Sequence, residues 1–427
     1  MLLFAVTGLL GVINTNTYVQ AFTAHSDTDN TEEAPIISNN EDIRGVFIAS
    51  VCNINFPTKP GLSAVTLRAE LDEIISTCEN VGINAIYFQV RPTADALYKS
   101  DIFPTSEYLT GKQGAPLTDG FDPLEYLVSA AHVKNIAVHA WVNPLRVTTG
   151  TASSPRHDVT TLAENHPARI NPEYAIPYAD GKLYFDCGNP NVRALIADSV
   201  AEIAANYAVD GVIFDDYFYP YPVTGSDGDI AAFDDSESFS QYGNNMTLDD
   251  WRRDNVNKMI EGCYTAIKSV RTDCEFGVAP FGIWQNDNGE NSGSQTAGLE
   301  AYSAIYCDPT AWIRGGYIDY IAPQIYWRFT NTVAPYATLV RWWSNAVSGT
   351  DVELLISHGA YNYDVWENPE NELSNQIDFA RSFAAYRGSI LYGYAVLKAN
   401  SNGLFDEVCE VFSKNESLIE AFANSSY

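Results

Sequence analysis

Eight short apolar runs recur along the chain, and segments with a helical period separate them. The runs are residues 45–49, 85–90, 137–142, 211–215, 276–281, 320–326, 353–358 and 389–396. The helical segments are 64–80, 122–134, 191–207, 247–270, 299–316, 333–347, 371–386 and 403–423. Alternating strands and amphipathic helices are typical of a parallel α/β fold. Eight such units predict a single (β/α)8 TIM barrel over residues 43–427.

Long segments follow the second, third, fourth and fifth predicted strands. They are residues 91–120, 143–188, 216–246 and 282–298, and they are rich in Pro, Gly, Asn and Tyr. Because each one follows a strand, these loops should lie on the C-terminal face, where barrel enzymes carry their active sites. Loops of this length are usually functional or disordered. Their shared position predicts an enzyme.

The charge of the chain limits its partners. It carries 54 acidic and 24 basic residues, a formal net charge of −30. Such a field repels polyanions, and nucleic-acid binding depends on Lys and Arg that neutralise phosphates. We therefore expect no nucleic acid as a partner. A neutral or weakly charged polymer is more compatible, and the 26 Tyr and 8 Trp offer flat faces for sugar rings.

The N-terminus is apolar from Met1 to Ile13 and then becomes polar. This run is too short to span a bilayer but suits the apolar region of a signal peptide, which we predict over residues 1–21. The basic residues that usually precede such a run are missing, so a disordered apolar tail is the alternative. Residues 22–42 are polar and acidic, which predicts a disordered linker. No later segment resembles a transmembrane helix, and we expect a secreted or extracytoplasmic protein.

Metal and cofactor chemistry has little support in the residues. The seven Cys form no C-x-x-C pair, and His139, His157, His166 and His358 are widely spaced. No phosphate-binding, dinucleotide-binding or serine-hydrolase motif occurs. We therefore predict no metal and no cofactor. Since seven is odd, at least one Cys must be free, and we interpret the Cys as small buried apolar residues.

The fourth strand runs directly into two carboxylates, Asp215 and Asp216. Placement at a strand end predicts a catalytic role for Asp215. Side chains alternate along a strand, so Tyr217 should share the side of Asp215, while Asp216 should face the helices or cap a loop. Glycoside hydrolysis typically needs a second carboxyl group about 5 to 9.5 Å away. Neighbouring residues on one strand meet that spacing only awkwardly, so we expect the partner acid on another loop. The candidates are Asp95, Glu107, Asp287, Glu290, Asp364 and Glu367.

The ends of the other strands are polar and aromatic. They supply Gln89, Arg91, His139, Trp141, Asn143, Arg146, Trp284, Gln324, Tyr326 and Trp327. Any one of these is more often structural than a ligand. Convergence of so many on one face predicts a substrate-binding rim, to which we add Asp95 and Tyr217, because polar groups bond hydroxyls and aromatic faces stack on sugars.

Several of these segments resemble the glycosyl-hydrolase-like 10 family of bacterial extracytoplasmic proteins. The matching stretches begin at Arg44-Gly-Val-Phe, Phe88-Gln-Val-Arg-Pro, Asp95-Ala-Leu-Tyr, Tyr108-Leu-Thr-Gly, His139-Ala-Trp-Val-Asn-Pro, Asp210-Gly-Val-Ile-Phe-Asp-Asp-Tyr, Gly277-Val-Ala-Pro-Phe and Ile318-Asp-Tyr-Ile-Ala-Pro-Gln. They span roughly residues 43–400. The resemblance implies a TIM barrel that hydrolyses a β-linked polysaccharide, and one type of member acts on peptidoglycan glycan strands stripped of their peptides. The resemblance supports a catalytic role strongly for Asp215 and only weakly for Glu107 or Asp95. The segment from Asp287 departs from the family pattern, which weakens the case for Glu290.

Together these observations predict an O-glycosyl hydrolase of cell-wall glycan, with Asp215, Asp216 and Glu107 as catalytic residues. A non-catalytic carbohydrate-binding barrel and a metal-dependent hydrolase are the alternatives. If the substrate carries lactyl carboxylates, Arg91 and Arg146 could bind them through two-pronged hydrogen bonds. The alternative is that each Arg orders a loop by pairing with Asp95 or Asp119. Linkage, cleavage mode and oligomeric state stay open.

Overall fold

The computed structural model describes residues 42–225, 228–290 and 292–414. The predicted signal peptide and residues 22–41 of the predicted linker lie outside these ranges. Asp42, the last residue assigned to that linker, pairs with Arg381 at 2.9 Å. Asp42 is therefore tied to the domain through the helix Glu372–Arg381.

Eleven strands form the β structure of the described residues. They are β1 (Ile43–Ile48), β2 (Ala85–Arg91), β3 (Ala137–Val142), β4 (Ala175–Pro177), β5 (Leu183–Phe185), β6 (Gly211–Phe214), β7 (Glu275–Val278), β8 (Tyr320–Ile321), β9 (Gln324–Ile325), β10 (Glu353–His358) and β11 (Tyr386–Tyr392). Parallel pairing runs β1-β2-β3-β6-β7-β8-β10-β11, and β11 pairs with β1 to close the barrel. The hairpin β4–β5 is antiparallel and belongs to the long loop after β3. The predicted TIM barrel is confirmed.

Thirteen α-helices accompany the strands. They are α1 (Ala64–Val81), α2 (Glu107–Thr110), α3 (Pro123–His132), α4 (Pro167–Ile170), α5 (Pro190–Asn206), α6 (Ser236–Tyr242), α7 (Leu248–Val270), α8 (Ala301–Ala304), α9 (Pro309–Gly315), α10 (Tyr336–Ala346), α11 (Glu372–Arg381), α12 (Tyr394–Lys398) and α13 (Leu404–Ser413). Side chains cap several N-termini, as Asn189 does for α5 and Thr247 for α7. No helix of the described ranges is long and apolar enough to cross a membrane.

Two predicted elements are interrupted, each at a proline. The sixth barrel strand consists of β8 and β9, with Pro323 between them. Proline has no backbone N–H to donate to a neighbouring strand. The single helix predicted over 299–316 is the pair α8 and α9, and Pro309 begins the second. A proline is well tolerated in the first turn of a helix but breaks its interior.

The barrel interior is filled by aromatic rings that require glycine on the neighbouring strand. A Cβ at Gly45 would overlap Tyr87, and a Cβ at Gly277 would overlap the ring of Tyr320. Both rings are fully or almost fully buried in the inner cluster. Glycine therefore sets how closely the large interior side chains can approach the strands beside them.

All seven cysteines lie in the described residues, and no disulfide joins any two of them. Cys78, Cys187, Cys263, Cys274 and Cys307 are buried. Burial raises the pKa of Cys187 and of Cys274 to about 12. These thiols pack as small apolar groups and stay protonated at neutral pH.

We predict that Gly277→Ala destabilises the protein by about 1–3 kcal/mol, because the added methyl group overpacks the interior against Tyr320. Gly262→Ala is the matched control, since Gly262 lies in α7 and a Cβ there meets nothing within 4 Å. That change should stabilise by about 0.5–1 kcal/mol. Urea unfolding of the two variants measures whether each change raises or lowers the free energy of unfolding. An unchanged midpoint for Gly277→Ala would contradict the packing argument.

Candidate active site

Asp215 lies at the mouth of the barrel, one residue beyond the end of β6. Its side chain is 5% exposed. Oδ2 accepts hydrogen bonds from Nε1 of Trp141 at 3.0 Å and from Nδ2 of Asn143 at 3.2 Å. The backbone N–H of Tyr217 donates to Oδ1 at 3.4 Å. A buried carboxyl group is thus fixed in one orientation by groups of β3 and of its own loop.

Burial raises the pKa of Asp215 to about 7. The Arg146 guanidinium opposes that rise, the charge of Asp216 adds to it, and the hydrogen bond from Trp141 again lowers the pKa. A carboxyl group with a pKa near neutrality can hold or release a proton under ordinary conditions. This is the behaviour expected of an acid–base residue.

Asp216 faces the same mouth, contrary to the alternation argument. It is also 5% exposed, and it accepts a hydrogen bond from the hydroxyl of Tyr221. Burial raises its pKa, while hydrogen bonds from Tyr221 and Gln324 oppose that rise. The strand ends at Phe214, so the alternation of an extended strand no longer governs residues 215 and 216. Two buried carboxyl groups therefore lie together here.

Asn143 and Arg146 link the loop after β3 to this pair. The side chain of Asn143 donates to Asp215 and, through Oδ1, accepts from the backbone N–H of Arg146 at 3.0 Å. Nε and Nη2 of Arg146 donate to the carbonyl of Pro92 at 3.1 and 2.8 Å. The guanidinium also lies 4.9 Å from the centre of the Tyr217 ring. Within the described residues no carboxylate forms an ion pair with Arg146, so the suggested pairing with Asp95 or Asp119 is not present.

Tyrosines complete the far wall of the mouth. Tyr326 and Tyr392 stack with ring centres 5.8 Å apart and planes 6° apart, and Tyr361 meets both edge-on. Tyr392 is at the end of β11, four residues before the end predicted from the sequence at residue 396, so the predicted strand end did not identify it. Tyr221 and Tyr361 come from loops, and the sequence gives no comparable signal for them.

The sixth strand supplies the remaining polar and aromatic groups of this wall. Nε2 of Gln324 donates to the carbonyl of Ala279 at 2.8 Å. Trp327 lies edge-on to Phe281 with ring centres 5.5 Å apart and stays partly exposed. Of the predicted rim, the structure therefore brings together Trp141, Asn143, Arg146, Tyr217, Gln324 and Tyr326 around the two carboxyl groups, whereas Trp327 contacts Phe281.

Arg91 lies outside the barrel, which corrects the prediction of a role at the mouth. A register shift between Gln89 and Arg91 pairs Arg91 with Val142, a residue of the helix-facing core. The guanidinium is fully buried, donates to the hydroxyl of Ser199 in α5 and stacks 4.5 Å from the centre of the Phe103 ring. It holds the helix layer and is out of reach of a substrate at the mouth.

Asp95 and Glu107 bond to other residues of the loops after β2 and β3. Asp95 is fully buried and accepts from Thr93 at 2.9 Å and from Gln113 at 3.0 Å. Glu107 forms an ion pair with Arg156 of the loop after β3. In the described part of the chain neither carboxylate hydrogen-bonds to Asp215. Glu107 ties the loop after β2 to the loop after β3, whereas both partners of Asp95 belong to the loop after β2.

The remaining candidate acids also stand apart from Asp215. Asp287, Glu290, Asp364 and Glu367 occupy exposed or half-exposed loop positions. In the described ranges none of them hydrogen-bonds to Asp215 or Asp216.

Gln89 and His139 lie inside the barrel and serve its packing. Oε1 of Gln89 accepts from the backbone N–H groups of Ser50 and Val51 at 3.0 and 2.9 Å, which orders the loop after β1. Nδ1 of His139 lies 2.9 Å from the Tyr320 hydroxyl. Burial lowers the pKa of His139 to about 4, so this imidazole is neutral at ordinary pH. It sits one strand layer below Trp141, away from the mouth.

Trp284 packs in the helix layer, away from the mouth. Its ring stacks on Trp342 with centres 5.5 Å apart, and Nε1 donates to Asp308 at 3.1 Å. The sequence predicts Trp284 at the end of a strand, but β7 ends at Val278, six residues earlier. Across the described residues, no group of three or more His, Cys, Asp or Glu is arranged to hold a metal ion.

Comparison with known proteins places these features in a family context. The family model described as "Glycosyl hydrolase-like 10" matches residues 42–375. Glycosyl hydrolase YngK of Bacillus subtilis (strain 168) is 38% identical over 392 residues, which cover 89% of this chain and 74% of YngK. Glycosyl hydrolase DigH of Escherichia coli (strain K12) is 34% identical over 373 residues, which cover 83% of each chain.

Solved structures of low sequence identity share the fold. The glycoside hydrolase domain of PgaB (BpsB) from Bordetella bronchiseptica superposes with a TM-score of 0.53 at 12% identity, covering 87% of this chain and 99% of that one. The endo-1,4-beta-mannanase from Rhizomucor miehei gives a TM-score of 0.52 at 11% identity, covering 90% and 98%. At such low sequence identities, the similarity shows only that the barrel fold is shared.

We predict that the carboxyl group of Asp215 titrates near pH 7, and that Trp141→Phe moves its pKa higher. The Nε1–H of Trp141 stabilises the charged carboxylate, so its removal favours the protonated form. Carbon-13 NMR of the carboxyl group measures both values. Trp342→Phe is the control, because Nε1 of Trp342 bonds to Ser292 instead. Titration near pH 4 in the unsubstituted protein would show that burial does not control this group.

Proposed function

The chain belongs to the glycosyl hydrolase-like 10 family, and from that premise we propose that Asp215 is the essential carboxylate of a glycosidase acting on peptidoglycan glycan strands. That the protein is a glycosidase follows from its family. The observation that carries the residue assignment is the buried carboxyl group of Asp215, fixed by Trp141 and Asn143 at the barrel mouth.

Asp215 and Asp216 divide the two roles that glycoside hydrolysis requires. One carboxyl group donates a proton to the leaving oxygen, and the other attacks the anomeric carbon or activates water. The groups that bond to Asp215 can only donate, which favours its charged form and suits a nucleophile or base. Burial raises the pKa of Asp216 and so favours its protonated form, although the hydrogen bond that it accepts from Tyr221 opposes that rise. Asp216 can therefore hold the proton that the leaving oxygen receives.

Asp215→Asn should abolish turnover while leaving the fold intact. An amide keeps the shape of the side chain but can neither attack nor accept a proton, so we expect a loss of at least about 10²-fold in kcat. The control is Asp351→Asn, which changes an exposed carboxylate in the loop before β10, at the opposite end of the barrel.

Release of reducing sugar from peptide-free glycan strands, together with circular dichroism, measures both variants. Full activity of Asp215→Asn would end this assignment.

The proposed substrate class rests on Arg146. Muramic acid units carry a lactyl carboxylate, and a chain with a formal charge of −30 should repel such a polymer unless a local cation offsets the field. Arg146 lies beside Asp215 and Tyr217, and its guanidinium has no carboxylate partner among the described residues. A guanidinium matches a carboxylate with a planar, two-pronged set of hydrogen bonds. A neutral sugar does not require this group.

We therefore expect Arg146→Gln to raise KM on muramic-acid glycans far more than on chitin-type oligomers. The lost charge-assisted pair should cost about 1.5–3 kcal/mol on the acidic substrate only. Arg68→Gln is the control, because Arg68 lies on α1 and stacks 5.0 Å from the centre of the Tyr126 ring. Steady-state kinetics on both substrates measures the change in KM for each. Equal losses on the two would show that Arg146 only orders its loop, and would reopen the choice of polysaccharide.

The proposed substrate lies outside the cytoplasm. This location is the one that the predicted signal peptide over residues 1–21 would give the protein. We propose an extracytoplasmic enzyme on both grounds.

A further inference from the structure

A second cavity opens on the same face of the barrel as Asp215. Its volume is about 760 Å³, which is in the range of small-molecule sites. The residues that line it belong to segments that follow β3, β6 and β7 and to the first turns of α7. These segments connect strand ends to helix starts, so they lie on the C-terminal face. We propose that this cavity, here called the side pocket, binds a neutral sugar unit of the polymer at a distance from the bond that is cleaved.

Aromatic rings form the wall of the side pocket. They are Tyr178, Tyr219, Phe233, Phe239 and Tyr306. Tyr219 meets Phe233 and Tyr306 edge-on, with ring centres 5.5 and 5.1 Å apart. Rings that brace one another in this way keep their positions when the pocket is empty. An aromatic wall suits the C–H face of a sugar ring, which is flat and apolar.

A buried ion pair forms part of the side pocket. Nε and Nη2 of Arg252 donate to the two carboxylate oxygens of Asp235 at 2.8 and 2.6 Å, and both side chains are nearly inaccessible to solvent. Nη1 of Arg252 donates to the hydroxyl of Tyr306 at 2.8 Å. Arg252 is the only Lys or Arg among the described residues that line the pocket. Because its charge is already neutralised, the pocket favours a neutral ligand over an anionic one.

Tyr306 adopts a backbone conformation that a bulky residue rarely takes. Its φ is 55°, in the left-handed region that residues other than glycine rarely adopt. The contacts with Arg252 and Tyr219 hold the residue there. The wall is therefore preorganised, and a ligand does not have to bear the entropic cost of ordering it.

The rim of the side pocket offers both apolar and polar groups. Ile230 is 67% exposed, and Leu248 lies beside it in the lining. Asp234, Ser236 and Ser303 are exposed on the same rim. A pyranose combines apolar faces with an edge of hydroxyl groups, so it can use both kinds of contact at once.

One loop serves the mouth and the side pocket. Tyr217 contributes to the mouth, where Arg146 lies over its ring, and Tyr219, two residues further along, lines the side pocket. The two sites are therefore only two residues apart along this loop, which is the basis for assigning both to one polymer. The proposal rests on the polysaccharide substrate proposed above. It adds a second binding site that engages the same chain, which raises the affinity for long substrates more than for short ones.

The test measures binding, so that it does not depend on turnover. Asp215→Asn protein is titrated by calorimetry with the N-acetylglucosamine hexamer and with the dimer. Ala232→Trp and Ser303→Trp fill the pocket from two different segments, the loop after β6 and α8, at exposed lining positions. Ala205→Trp is the matched control, an exposed site near the C-terminal end of α5 and hence at the opposite end of the barrel. Circular dichroism checks that every variant is folded.

We expect each filling variant to weaken binding of the hexamer about tenfold and to leave binding of the dimer unchanged. Ala205→Trp should change neither. Equal hexamer affinities in Ala232→Trp and Ala205→Trp would overturn the proposal, as would equal losses for hexamer and dimer, or no binding of the hexamer at all. The proposed function is judged separately, by cleavage of peptidoglycan glycan strands with the unsubstituted enzyme.

Discussion

Closure of the barrel by pairing of β11 with β1 is the constraint on which the site depends. This pairing sets Tyr392 opposite Phe47. Phe47 in turn meets the edge of Trp141 with ring centres 5.1 Å apart. Trp141 is the residue whose Nε1 bonds to Asp215. The first and last strands thus help to orient the carboxyl group of Asp215, at the end of the fourth barrel strand, through a short series of ring contacts.

The fold was predictable from the sequence because its signals are local and repeated. Each strand is a short apolar run and each main helix has its own period, so an error of a few residues in one unit leaves the others intact. The strand β3 has the predicted bounds, Ala137–Val142, and so does β10. Family resemblance then added what periodicity cannot, namely the chemistry of the barrel mouth.

The candidate site was predictable only where strand geometry stays regular. Trp141 lies in β3, Asn143 and Asp215 each follow directly after a strand, and the three side chains do converge. The position of Arg91 depends on a register shift after Gln89, which no pattern of apolar residues reveals. The orientation of Asp216 depends on where β6 stops. Both are properties of the pairing between strands, and a single strand read alone does not contain them.

The buried thiols have a consequence for the environments in which this barrel can persist. Because no disulfide joins the seven cysteines, all of which the structure describes, a reductant has no covalent link in this fold to break. Because burial keeps most of them as thiols and away from solvent, a mild oxidant finds few reactive thiolates. No disulfide therefore contributes to the stability of the barrel, and a more reducing environment should leave that stability unchanged.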